Sequence, residues 1–111
     1  MCSQAEMIKQ LQPVVDGISV LDGVEKIILF GSFAKNRQSI TSDVDIAVVC
    51  SSDDTKSLRT SISLSINDLY KGDFDIQPTY ISCENYFNDE HVLNVSGSIR
   101  KEGVILWQIK S

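Results

Sequence analysis

The stretch Asp43-Val44-Asp45-Ile46-Ala47-Val48-Val49-Cys50 restricts what this chain can become more than any other. It reads as a buried strand, Val44 to Cys50, with two carboxylates at its mouth. In a strand the side chains alternate, so Asp43 and Asp45 point to one face. Their roots stand about 6 to 7 Å apart, and two like charges so placed cost stability unless a cation sits between them. A hard divalent ion with oxygen ligands is the natural occupant. Acid/base work across a glycosidic bond needs carboxylates on opposite sides of that bond, whereas these two share one side. They suit one metal, or two ions about 3.5 to 4 Å apart, for in-line phosphoryl displacement. Taken alone, an Asp-x-Asp pair at a strand end is commonly a solvated pair of surface charges. What distinguishes this pair is its neighbourhood.

An earlier run, Val24 to Phe30, is rich in β-branched and apolar residues and stops at Gly31-Ser32, which predicts a first buried strand. Glycine there lets the backbone turn sharply and approach a ligand closely. Amide N–H groups at the bend, with the Ser32 hydroxyl, suit phosphate oxygens, and Lys35 adds a point charge for the same anion. A plain turn is the simpler reading of Gly-Ser by itself. The segment from Phe33 to Ser42 is small, polar and basic. A third carboxylate is wanted to complete a metal shell and to take the proton from an attacking hydroxyl. Asp75, between Phe74 and Ile76, is the candidate, because a charge inside an apolar strand needs a reason. Asp73, next to Gly72 at the strand edge, is the fallback.

Around these segments helices and strands interleave. Met7, Ile8, Leu11, Val14, Val15 and Ile18 fall on one helical face, with Pro13 expected to kink or restart that helix. Asp22-Gly23 marks a turn before the first strand. Ser51 to Asp54 supply a cap and first-turn charge for a second helix carrying Leu58, Ile62, Ile66 and Leu69, with Gly72 as its stop. A third strand is expected at roughly 73–81. A last helix capped by Asn88 or Asp89 carries Val92, Val95 and Ile99, and Val104 to Ile109 forms a fourth strand. The fold class is α+β, an α/β two-layer arrangement around one small sheet, in a single domain over 1–111.

Composition narrows the function classes. Fifteen acidic against ten basic residues give a formal net charge of -5, which opposes broad binding to a phosphate backbone, so direct contact with nucleic acid is not expected. No apolar run approaches the ~20 residues of a membrane span, and Met1 to Gln12 lacks the basic start and apolar stretch of an export signal. A cytoplasmic protein is expected. Cys2, Cys50 and Cys83 are odd in number and lack CxxC spacing, so they read as reduced thiols. His91 reads as a surface or helix-cap residue, Trp107 as core or partner interface, and Asp53-Asp54 as helix-start charges.

With these residues in view, the chain resembles the minimal nucleotidyltransferase family of the DNA polymerase beta-like nucleotidyltransferase superfamily. The resemblance is carried by Phe30-Gly31-Ser32, Ala34-Lys35, Ser42-Asp43-Val44-Asp45-Ile46 and Phe74-Asp75-Ile76, and at the end of the chain by the stretch from Ile99 to Trp107. Asn36 stands where the family usually has glycine, and Phe33 where arginine or tyrosine is frequent. What the resemblance implies is a nucleotidyltransferase fold, a small mixed four-stranded sheet with helices packed on it, that binds ATP or another NTP with Mg²⁺. Asp43 and Asp45 would ligate the metal, Asp75 would bind metal and act as base, and Gly31, Ser32 and Lys35 would hold the nucleotide.

Larger relatives that modify antibiotics carry an added helical domain, and none is expected in the single domain over 1–111. Free-standing members of this size resemble antitoxins paired with a helical HEPN-type ribonuclease toxin, which they inactivate by adding AMP to a tyrosine or by binding. Three readings follow from the resemblance. The first is an AMP-transferring antitoxin that forms a hetero-oligomer with its toxin. A catalytically silent antitoxin is the second, motivated by Asn36 and Phe33. The third is a small-molecule nucleotidyltransferase working as a homo-oligomer.

Overall fold

A computed structural model describes residues 4–31, 43–51, 55–72, 74–82 and 103–109. Helix α1 spans Gln4–Ser19, strand β1 Val24–Phe30, strand β2 Val44–Cys50, helix α2 Thr55–Leu69, strand β3 Ile76–Ser82 and strand β4 Val104–Gln108. The four strands form one mixed sheet in the order β3-β2-β1-β4. β1 runs antiparallel to both β2 and β4, whereas β2 and β3 are parallel. Parallel neighbours need a crossover, and α2 supplies it. The result is the two-layer α+β arrangement expected.

Both helices cover one face of the sheet. α1 buries Met7, Leu11, Val14, Val15 and Ile18, the stripe predicted from a 3.6-residue period, against Ile27 and Leu29 of β1 and Val44, Ile46 and Val48 of β2. Ile62 and Ile66 of α2 join the same cluster. Each such side chain contributes about 1.5 to 3 kcal/mol on leaving water, so this layer carries most of the stability. Where the helices meet, Gly17 leaves room for Leu69, whose Cδ1 occupies the place a Cβ would take.

The predicted bounds of β1 and β2 are met residue for residue. A bulge between Val24 and Lys26 puts Val24 and Ile27 on the same face despite their spacing of three. Gly23 (φ 97) makes the turn into β1 from the Asp22-Gly23 pair, and its carbonyl accepts the Ser51 N–H at 2.8 Å.

Two expectations need correction. Pro13 does not restart α1, which runs from Gln4 to Ser19 in one piece. The missing N–H costs a bond to the carbonyl four residues back, but Leu11 and Val14, buried on either side of the proline, hold both halves on the sheet. β3 begins at Ile76 instead of about residue 73, so Asp75 precedes the strand and is exposed instead of sitting in an apolar interior. The closing strand ends at Gln108, one residue early. Trp107 packs on the main core, as one of its two readings required. The last predicted helix, with His91, lies outside the described residues, as do Asp53-Asp54, Asp73, Cys2 and Cys83. Cys50 is a buried free thiol, pushed above its ordinary value chiefly by burial. Among the described residues no helix is long and apolar enough to cross a membrane.

Candidate functional site

The face turned away from the helices is built in two halves. Strand alternation sends Val44, Ile46 and Val48 to the helices and Asp43, Asp45, Ala47 and Val49 the other way. Ala47 and Val49 cluster with Ile28 and Ile81, with Phe30 packed against them. Beyond that cluster, toward the start of β2, the same face turns acidic.

Asp43 is exposed and Asp45 is half-buried. Burial first, and the Asp43 charge second, hold the Asp45 carboxyl above its ordinary value of 3.8. The two side chains are therefore electrostatic neighbours, as the two-residue period required. Two carboxylates held this way suit a divalent cation between them.

Gly31 ends β1 beside this pair, because Phe30 is registered with Asp45. Its φ of 77° is a left-handed conformation that L side chains rarely adopt. A Cβ built there would lie against Asp45 Oδ2, 3.2 Å from Asp45 Cγ and 3.3 Å from Asp45 Cβ. The glycine thus makes the turn and leaves room for the carboxylate. A close approach at Gly31 was expected from the sequence, and within the chain the neighbour it meets is the Asp45 carboxylate. Ser32 and Lys35, like Phe33 and Asn36, lie outside the described residues.

Asp75 reaches the site by a different route from the one predicted. Parallel pairing registers Val44 with Ile76 and Asp45 with Gln77, and the Asp75 carbonyl accepts the Val44 N–H at 2.8 Å. One step back along the same register puts Asp75 next to Asp43. Ile76 and Tyr80 pack toward the helices and Ile81 toward the other cluster, so Asp75 and Gln77 take the acidic face by alternation. Among the described residues, however, no three His, Cys, Asp or Glu side chains converge into a ready-made metal cage. The fit to a divalent ion rests on the Asp43–Asp45 pair, with Asp75 alongside, just ahead of the next strand. Gln77, two residues on from Asp75, shares that face.

A cavity of about 400 Å³ lies on the helix-covered side, lined by Gln10, Pro13, Leu69, Lys71, Gly72 and Phe74. None of Gly31, Asp43, Asp45 or Asp75 lines it; they lie at the acidic end of the other face.

The family model for polymerase beta, nucleotidyltransferase, matches residues 14–107. No curated protein matches the chain. Among solved structures, a candidate nucleotidyltransferase from Sulfolobus solfataricus is similar at 22% identity and a TM-score of 0.56, over 95% of this chain and 83% of that one. A toxin-antitoxin structure with AMP-PNP is similar at 23% identity and a TM-score of 0.56, over 96% of this chain and 74% of that one. A mutant of the toxin-antitoxin MntA-HpeT is similar at 20% identity and a TM-score of 0.53, over 97% of this chain and 75% of that one. At these identities the structural likeness speaks for the fold.

Proposed function

Because the chain belongs to the polymerase beta nucleotidyltransferase family, we propose that it is an antitoxin enzyme that moves AMP from ATP onto a hydroxyl, a tyrosine's, of a HEPN-type toxin in the cytoplasm. The observation that carries this reading is the Asp43–Asp45 pair, two mutually repelling carboxylates beside the left-handed Gly31. Asp43 and Asp45, joined by Asp75, would hold Mg²⁺, whose chemistry there is to offset charge on the transferring phosphate. Gly31, with Ser32 and Lys35 after it in the chain, would grip the triphosphate. Asp75 takes the proton from the acceptor hydroxyl. The new bond joins the acceptor oxygen to the α-phosphorus, the bond from that phosphorus to the bridging oxygen breaks, and pyrophosphate leaves with the electron pair.

Two further facts support the reading. One similar structure is a toxin-antitoxin with AMP-PNP. In the MntA-HpeT mutant, two aspartates two positions apart are changed to glutamate, the same spacing as Asp43 and Asp45. The test is to incubate the purified protein with ATP, Mg²⁺ and the product of the neighbouring gene. A gain of one AMP on the partner by mass spectrometry, lost in Asp43→Ala, is the expected result. Tight association with no mass gain points instead to neutralisation by binding alone, the reading that Phe33 and Asn36 motivate. Turnover of a hydroxylated metabolite by the protein alone would replace both.

A further inference from the structure

The order of the strands says from which side the acceptor arrives. β2, which carries Asp43 and Asp45, lies between β1 and β3. Gly31 closes β1 on one side of the carboxylates, and β3 flanks them on the other. In-line displacement requires the incoming oxygen and the departing pyrophosphate on opposite sides of the phosphorus. If the triphosphate is gripped at Gly31, the acceptor approaches over β3.

Two side chains of β3 and its lead-in stand on that approach. One is Asp75, next to Asp43. The other is Gln77, registered with Asp45 across parallel strands that lie about 4.8 Å apart. Gln77 is exposed, and alternation with Ile76 and Tyr80, which pack toward the helices, sets it on the acidic face. The next residue on that face, Thr79, is registered with Ala47, where the surface turns apolar.

A neutral amide suits this position. A fourth carboxylate would add repulsion to Asp43, Asp45 and Asp75, and a lysine would compete with the cation. A carboxamide offers two N–H donors and a carbonyl acceptor without charge. It can donate to an acceptor oxygen while Asp75 takes that oxygen's proton.

We propose that Gln77 is the acceptor-binding residue of this enzyme, its carboxamide holding the incoming hydroxyl on the β3 side of the Asp43–Asp45 pair. This rests on the transferase reading above. Gln77→Ala is expected to raise the KM for the partner protein about tenfold, the scale of one lost hydrogen bond. ATP affinity in Mg²⁺, measured by calorimetry, and the melting temperature should stay at wild-type values. Gln77→Asn should recover part of the loss, and Gln77→Glu should lower kcat as well. A merely structural role would lower ATP affinity, acceptor KM and melting temperature together, and that outcome overturns the proposal. An unchanged acceptor KM in an active Gln77→Ala enzyme also overturns it and leaves the transferase reading standing. Absence of transfer by the wild-type protein removes both.

Discussion

The helix-covered face of the sheet and its opposite face are made by the same strands, and in β2 they are separated by a single residue step. On the first, the buried positions are apolar, and two helices close over them. On the second, an apolar cluster of Ile28, Ala47, Val49 and Ile81 gives way to Asp43, Asp45, Asp75 and Gln77 at the end where β1 stops and β2 and β3 begin. Among the described residues no polar or charged side chain is fully buried, so the acidic end remains open to solvent. On the transferase reading proposed above, stability and chemistry are therefore divided by face. Residues adjacent in sequence, such as Asp45 and Ile46, should fail in different ways when altered.

The largest test of that division is Asp43→Asn. Transfer activity should fall on the order of 10² to 10³-fold, with the melting temperature unchanged. Lost activity accompanied by unfolding would break the comparison. Across the strand, Ile46→Ala should cost about 3 kcal/mol in denaturant unfolding, while the fraction that remains folded keeps its kcat. A change in kcat per folded molecule would show that the two faces are coupled.

Gly31→Ala should be intermediate, because it touches both properties. The left-handed backbone costs about 1 to 2 kcal/mol for a residue with a Cβ, and the added methyl pushes on the Asp45 carboxylate. Stability and Mg²⁺ affinity should fall together, measured by melting and by titration calorimetry.

The smallest effect is a pH dependence. The Asp45 carboxyl is raised in the folded protein, so the folded state holds this proton more tightly than the unfolded state. Stability without metal is then complete below the ordinary value of 3.8 and declines as pH rises through the raised value. Partial exposure limits the decline to under about 1 kcal/mol. Asp45→Asn or added Mg²⁺ should flatten the slope. A slope of the opposite sign would mean that a nearby cation already compensates the pair.

What the sequence determined by itself was local. Periods of 3.6 and 2 residues set the buried stripe of α1, the bounds of β1 and β2 and the shared face of Asp43 and Asp45, because those periods follow from backbone geometry that each segment carries alone. Gly31 was legible as a special position for the same reason. Local signals failed where long-range packing outweighed them. Burial on both sides of Pro13 carried α1 through it, and pairing with Val44, not the apolar flanks of Asp75, decided where β3 begins. The tertiary structure alone decided that β3 lies parallel beside β2, which puts Asp75 next to Asp43 and Gln77 next to Asp45. It also showed that a side chain at Gly31 would run into the Asp45 carboxylate. Strand order and register depend on contacts between residues some thirty positions apart, and no local period encodes which strands will meet.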